Sequence, residues 1–378
     1  MGPLAGIKVV EIAGLGAAPY GCMMLADMGA EVVRIDRVSG GVRPEPEFTP
    51  LLRNRRSIAL DLKKPEDRDL VLALTGKADV LIEAFRPGVA ERLGIGPEAC
   101  FARNARLIYA RMTGWGQTGP LAATAGHDLN YIGLTGLLHQ IGPTGGKPVV
   151  PLNVIGDFGG GGLLMAFGVM CALWEARNSG RGQIVDAAMV DGALSFMAMF
   201  FGSRTLGQFQ DRTGSHMLAG AAHYYGTYEA KDGRYIALAS IEPQFYAEFL
   251  RRMGLEDDRW RQAGFPAYGA RIVEHDWPAL KSELAARFKA KTRDEWCELF
   301  AGSDACVTPV LTLAEAAEHP HNRARQAFID VDGVQQNAPA PRFSRTVPDH
   351  PRAPVKPGAD RLAVLADWGI DASEFAKR

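Results

Sequence analysis

The chain reads as an α/β protein built on a parallel sheet, with a second, smaller α+β domain. Two observations predict this. Over the first 190 residues, short apolar strand patterns alternate with helix-length segments, the order of a parallel sheet covered on both faces. After about residue 220 the pattern becomes a hairpin followed by helices. With 378 residues, the chain exceeds what one core usually serves, roughly 250–300 residues.

Ile7–Ile12 is the first strand pattern, followed by the turn Gly14-Leu15-Gly16. Pro19 opens a helix pattern that ends before Gly29, since proline is tolerated in a first helical turn. Strands are then expected at Glu31–Asp36, Ser57–Leu60, Val80–Ala84 and Leu107–Met112, with a helix over Pro65–Thr75. A longer helix is expected from Phe158 to about Arg177, with Asp157 in the N-cap position. Its opening Gly159–Gly162 run is costly, about 1 kcal/mol per glycine relative to alanine. Either a ligand or a neighbouring helix must approach that backbone closely. In the second domain, Asp232-Gly233 marks a turn between strand patterns at Tyr225–Glu229 and Tyr235–Ser240. Helices are expected at Pro243–Met253, Trp277–Ala290 and Arg293–Ala301, the last with the capping box Thr292/Glu295. The Pro-rich stretch 339–357 reads as linker, and Ala359–Asp367 as a final helix.

A formal net charge of −1 argues against a general nucleic-acid binder, so any anion site must be a local basic cluster. Five cysteines, none in a CxxC pair, suggest neither a disulfide framework nor a structural zinc, and a reducing compartment. His319 and His321 flank Pro320 without the spacing of a helical metal site. The expectation is no metal. The N-terminus lacks a basic stretch leading into an apolar segment, and the longest apolar stretch, around Leu163–Trp174, is shorter than the ~20 residues that span a bilayer. No peroxisomal tripeptide ends the chain. A cytoplasmic protein without membrane partners is expected.

Gly14-Leu15-Gly16, with Asp36 about twenty residues on, resembles a dinucleotide fingerprint. The third glycine, however, is replaced by Pro19, and a GxG after a strand is common in α/β folds. Nicotinamide binding is not favoured.

Seven segments in order carry a more specific resemblance. They are LAGIKVVE from Leu4, VRIDR from Val33, FRPG from Phe85 and YARMTGWGQ from Tyr109, then GHDLNY from Gly126, GDFGG from Gly156 and IEPQFY from Ile241. Together they resemble the α-methylacyl-CoA racemases of the family III CoA-transferase superfamily, over nearly the whole chain. The resemblance implies a Rossmann-like large domain over residues 1–190 and 330–378 and a small α+β domain over 225–312. Linkers would cover 191–224 and 313–329. Two chains would interlock as a homodimer, each active site lying between the large domain of one and the small domain of the other.

It also implies the reaction, interconversion of (2R)- and (2S)-2-methylacyl-CoA by proton transfer at Cα. Such chemistry needs two acid/base groups flanking the carbon and donors for the enolate oxygen. By the match these are His127 and Asp157, with Glu242 crossing the dimer interface to hold His127. Taken alone, a histidine is usually structural, and Asp157 and Glu242 would pass for an N-cap and a first-turn acid. Asp128, the nucleophile position of the transferase relatives, would supply its backbone N–H at a helix start. A family III CoA-transferase using Asp128 is the alternative function, and an inactive CoA-binding protein a third.

Matching positions for CoA contact are Arg37, Leu60, Asp61, Leu62, Lys63, Ala84, Phe85, Arg86 and Arg92, and Gly126, Asp128, Leu129, Asn130 and Tyr131. No separate cofactor is implied, since CoA is part of the substrate. Arg53, Arg55 and Arg56 form a further basic cluster with either a CoA or a solvated role. Met197, Met199 and Met217, interleaved with Phe196, Phe200 and Phe201, would face the acyl chain or be plain core.

Overall fold

Six parallel strands form the central sheet of the computed structural model, which describes residues 2–38, 50–255, 257–265 and 276–375. The strands are β1 (Lys8–Ile12), β2 (Glu31–Arg37), β3 (Arg55–Leu60), β4 (Val80–Glu83), β5 (Ile108–Thr113) and β6 (Gln183–Ala188). Their order is β3-β2-β1-β4-β5-β6, that of a doubly wound nucleotide-binding fold, with the chain reversing direction across the sheet between β1 and β4. Helix α1 (Ala17–Asp27) and the long helix described below cover one face. The other face carries α2 (Pro65–Thr75), α3 (Val89–Arg92) and residues of the C-terminal segment.

The chain divides into two units. One comprises residues up to Thr135, Pro151–Ala198 and residues from Gln326 onward; the other is Gly136–Val150 with Met199–Arg325. The second unit has a three-stranded antiparallel sheet of β7 (Tyr225–Glu229), β8 (Tyr235–Ala239) and β9 (Val307–Val310). Its core packs Trp260, Phe249, Phe288 and Trp296. Thr292 and Glu295 form the expected capping box. Met217 packs against this core, and Met197 is buried in the first unit; both fit the plain-core reading.

The long helix differs from expectation. Asp157 is not its N-cap. A π-helical segment, Val154–Leu163, runs directly into α5 (Leu164–Ser179), after α4 (Asp128–Leu134). The continuous stretch Val154–Ser179, 26 residues, is by length and composition able to cross a membrane, so the apolar segment is longer than the sequence pattern shows. The glycines serve helix packing. A Cβ on Gly162 would lie 2.3 Å from the Ala17 carbonyl oxygen, and one on Gly21 would lie 2.5 Å from that of Gly162. Gly192, on α6 (Met189–Phe196), would put a Cβ 1.9 Å from the Gly160 oxygen. Only glycine lets these backbones touch.

The basic cluster of Arg53, Arg55 and Arg56 is structural, neither the CoA contact nor the solvated face that the sequence leaves open. Arg53 is fully buried, forks onto Asp27 at 3.0 and 2.5 Å, and also donates to Gln336 and the Asn337 carbonyl. Arg55 pairs with Glu11 at 3.1 Å, and Arg56 with Glu31 and Asp367. Arg53 thereby ties α1 to the C-terminal hairpin of β10 (Phe328–Val331) and β11 (Val334–Asn337). The segment then returns to the sheet, where Asp360 exchanges hydrogen bonds with Ser57 and Trp368 enters the core.

Removing one partner of a buried pair strands the other charge. Arg53→Met should cost about 3–5 kcal/mol in urea unfolding, and adding Asp27→Asn should recover part of it; a loss below about 1 kcal/mol would contradict this assignment.

Candidate active site

In a doubly wound sheet, ligands bind where the strand order reverses, outside the carboxyl ends. Here the loops after β1 and β4 come close enough that a Cβ on Gly14 would stand 3.1 Å from the Ala84 Cβ. A cavity of about 630 Å³ opens at this point, walled by Gly14-Leu15-Gly16, by Ala84-Phe85-Arg86-Pro87 and by Gly126-His127. Arg34, Arg37 and Arg86 bring positive charge to it.

His127 is the N-cap of α4 and is exposed along the cavity wall. Its backbone N–H donates to Asn130 Oδ1 at 3.1 Å, half of a capping box, which fixes the turn that presents the ring. Asp128 starts the helix and is a buried residue, 6% exposed. Its carboxylate faces inward, Oδ1 accepting the Asp157 N–H at 2.8 Å. A Cβ on Gly156 would come within 2.6 Å of the same oxygen, so glycine is required beside it.

Asp157 is half-buried within the π-turn. Its Oδ2 accepts from Asn153 Nδ2 at 3.0 Å and lies 3.2 Å from where a Cβ on Gly16 would stand. Burial raises its carboxyl above the usual range; the Asn153 hydrogen bond opposes the shift, the Asp128 charge adds to it and His127 opposes it. His127 and Asp157 are therefore near enough to interact electrostatically.

Tyr131 lines the cavity and also braces it. Its hydroxyl donates to the Gly126 carbonyl, and its ring occupies space where a Cβ on Gly114 or Gly126 would fall at 2.0 or 2.8 Å. Trp115 packs against it edge-on at 4.7 Å.

Of the expected site residues, the structure brings Arg37, Ala84, Phe85, Arg86, Gly126, His127 and Tyr131 to one cavity, with Asp128 and Asp157 adjoining. Asp61, Leu62, Lys63, Arg92, Leu129 and Asn130 lie outside its lining, and the Leu60 side chain is core. Glu242 is an exposed N-cap residue of α7 (Pro243–Met253) in the second unit, and its side chain makes no capping bond. Asn153 escaped notice because an amide in a turn carries no motif of its own; only its spacing of four from Asp157 hinted at a contact. Asp36 does not suit a nucleotide ribose, since it accepts from Arg34 Nε at 3.0 Å and Ser57 Oγ at 2.6 Å. No group of three or more histidine, cysteine, aspartate or glutamate side chains placed to hold a metal occurs among the described residues.

A parallel nucleotide-type sheet with a histidine on the cavity wall at its switch point, and a half-buried aspartate adjoining it, is an α/β enzyme scaffold. The chain belongs to CoA-transferase family III, whose pattern matches residues 4–361. Alpha-methylacyl-CoA racemase of Mus musculus is 42% identical over 98% of this chain and 95% of its own. The Homo sapiens protein of the same name is 40% identical over the same shares. A CAIB/BAIF family protein from Brucella suis has a solved structure that matches with a TM-score of 0.81 at 28% identity, covering 97% of this chain and 99% of that one.

The Asn153 hydrogen bond favours the charged form of Asp157, so its loss must raise the carboxyl pKa further. Asn153→Ala is expected to move the Asp157 carboxyl titration, followed by carbon NMR, up by about half a unit to one unit; a downward shift would contradict the geometry.

Proposed function

We propose that this protein is an α-methylacyl-CoA racemase, interconverting 2-methylacyl-CoA epimers by two-base proton transfer. The observation that carries this is an exposed histidine on the cavity wall with a half-buried aspartate adjoining the cavity, while the carboxylate next to the histidine is turned inward. One base, His127 or Asp157, takes the Cα proton, and the C–H electron pair moves into an enolate. The other returns a proton to the opposite face, and the thioester bond stays intact. No electrons leave the substrate, so no redox cofactor is needed.

The first N–H groups of a helix have no partner within it. The Asp128 N–H is the proposed donor to the enolate oxygen, and such a donor is worth about 10²–10³ in rate. Burial that raises Asp157 brings it closer to neutrality, where general bases work best. Arg37 and Arg86 would meet the phosphates of CoA, with Arg suited to their geometry. Glu242, exposed and without an ion pair among the described residues, is proposed to hold His127 from a second subunit of a homodimer. We also propose a cytoplasmic setting.

The transferase alternative requires Asp128 as a nucleophile. Its carboxylate, buried and accepting the Asp157 N–H, is poorly disposed to attack.

The test starts with one enantiomer of a 2-methylacyl-CoA in deuterated water. Racemisation with deuterium at Cα is expected; transfer of CoA to an added carboxylate without exchange would overturn the proposal. His127→Ala should lower racemisation by more than about 10³-fold while CoA still binds. Asp128→Asn should retain racemisation within about tenfold, because the amide oxygen can still accept the Asp157 N–H, whereas a transferase would lose its nucleophile. The rate should follow a bell in pH, rising as the proton-abstracting group ionises and falling as the group on the opposite face loses the proton it must return.

A further inference from the structure

We infer that Glu83 is a positioning residue that holds one whole wall of the substrate cleft. This rests on the CoA-thioester reading of that cleft. Glu83 is the last residue of β4, 2% exposed, in a strand otherwise made of Val80, Leu81 and Ile82. Its Oε2 accepts the Phe85 N–H at 2.6 Å, so the carboxylate folds the chain back over itself where the strand ends. The four residues that follow, Ala84 to Pro87, all line the cavity.

Behind the carboxylate stands Arg111 of β5, its Nε 3.7 Å from Glu83 Oε1. Arg111 also donates to Gln117, in the loop after β5, at 2.7 Å and to Glu91 of α3. A single buried guanidinium thus ties together the segments that leave β4 and β5 beside the cleft. The groups facing Glu83 are Arg111 and Tyr109 on β5 and Glu91 on α3.

A leucine at this position would extend the core strand without burying a charge. Instead, burial pushes the Glu83 carboxyl up to about 7, against the pull of the Phe85 N–H and Arg111, with Glu91 pushing it up further. Its unfolded value is near 4.5, so the folded state holds the extra proton between those values and is weakened as pH rises through 7. A carboxyl kept where its ionisation weakens the fold points to a use, and the hydrogen bond to the cleft wall is that use. Below pH 7 the neutral carboxyl grips Arg111 less, and the wall loosens.

Full-length Glu83→Ala and Glu83→Gln are compared with the wild type by steady-state kinetics and by calorimetric binding of CoA between pH 6 and 9. Glu83→Ala should raise KM and the CoA Kd about tenfold, the loss of a charge-assisted hydrogen bond, with kcat changed less than about threefold. Glu83→Gln keeps an acceptor for the Phe85 N–H but, like the neutral carboxyl, offers Arg111 no charge, so above pH 8 it should bind CoA about threefold more weakly than the wild type, and about equally at pH 6. It should also lack the wild-type weakening of binding that sets in near pH 7. The CoA phosphate itself titrates near ~6 in both proteins, so the difference between the two profiles reports Glu83. An unchanged KM in Glu83→Ala, or identical pH profiles for wild type and Glu83→Gln, overturns the inference. Wild type that binds no CoA would sink the functional reading as well, whereas binding wild type with indifferent variants sinks this inference alone.

Discussion

Near-contact of backbones holds the site together. The π-turn that carries Asp157 lies so close to α1 and α6 that Gly21, Gly160, Gly162 and Gly192 have no room for a methyl group. A turn seated by main-chain atoms has few ways to shift, because packed interiors do not deform continuously. Its seat puts the Asp157 N–H onto the Asp128 carboxylate and the Asp157 carboxylate beside Gly16. Two segments distant in sequence are thereby locked to one geometry, and the histidine that begins α4 is carried with them.

The same constraint explains what could and could not be seen in advance. The strands from β1 to β5 were legible because continuous apolar runs between turns mark a parallel sheet, and Pro65–Thr75 and Pro243–Met253 were legible to the residue through their opening prolines. The polar start of Gln183–Ala188 hid the edge strand β6, and Phe328–Asn337 is too short and polar to announce a hairpin. A π-turn has no periodicity signal distinct from an α-helix over ten residues. Asp157 therefore looked like a cap at a helix start when it lies inside the helical run. For the glycine run, the sequence allows either a ligand or a neighbouring helix, and only the facing backbone of α1 and α6 decides for the helix.

Charge was the least legible property. Arg53, Arg55 and Arg56 form a basic run in the sequence, yet each has a carboxylate partner far along the chain: Asp27, Glu11 and Glu31. A run of like charge says nothing about partners that the fold supplies from elsewhere. Arg37 and Arg86, scattered in sequence, end on one cavity because the topology brings the ends of β2 and β4 together there. Family resemblance points to His127 and Asp157, whereas Asn153 and Glu83 stand out only in the fold, as both act through a neighbour's main chain or carboxylate.

Asp128 shows how one fold separates two chemistries. A nucleophilic carboxylate must reach the thioester carbon, with its oxygens free and facing the cleft. Here an oxygen is held by the Asp157 N–H, and Gly156 leaves just enough space for it. The bond that occupies Asp128 is also what seats Asp157, so freeing one residue for acyl transfer would loosen the other as a base. Proton transfer and acyl transfer then compete for the same hydrogen bond. On the reading proposed above, with a histidine immediately before the aspartate, the arrangement suits proton transfer.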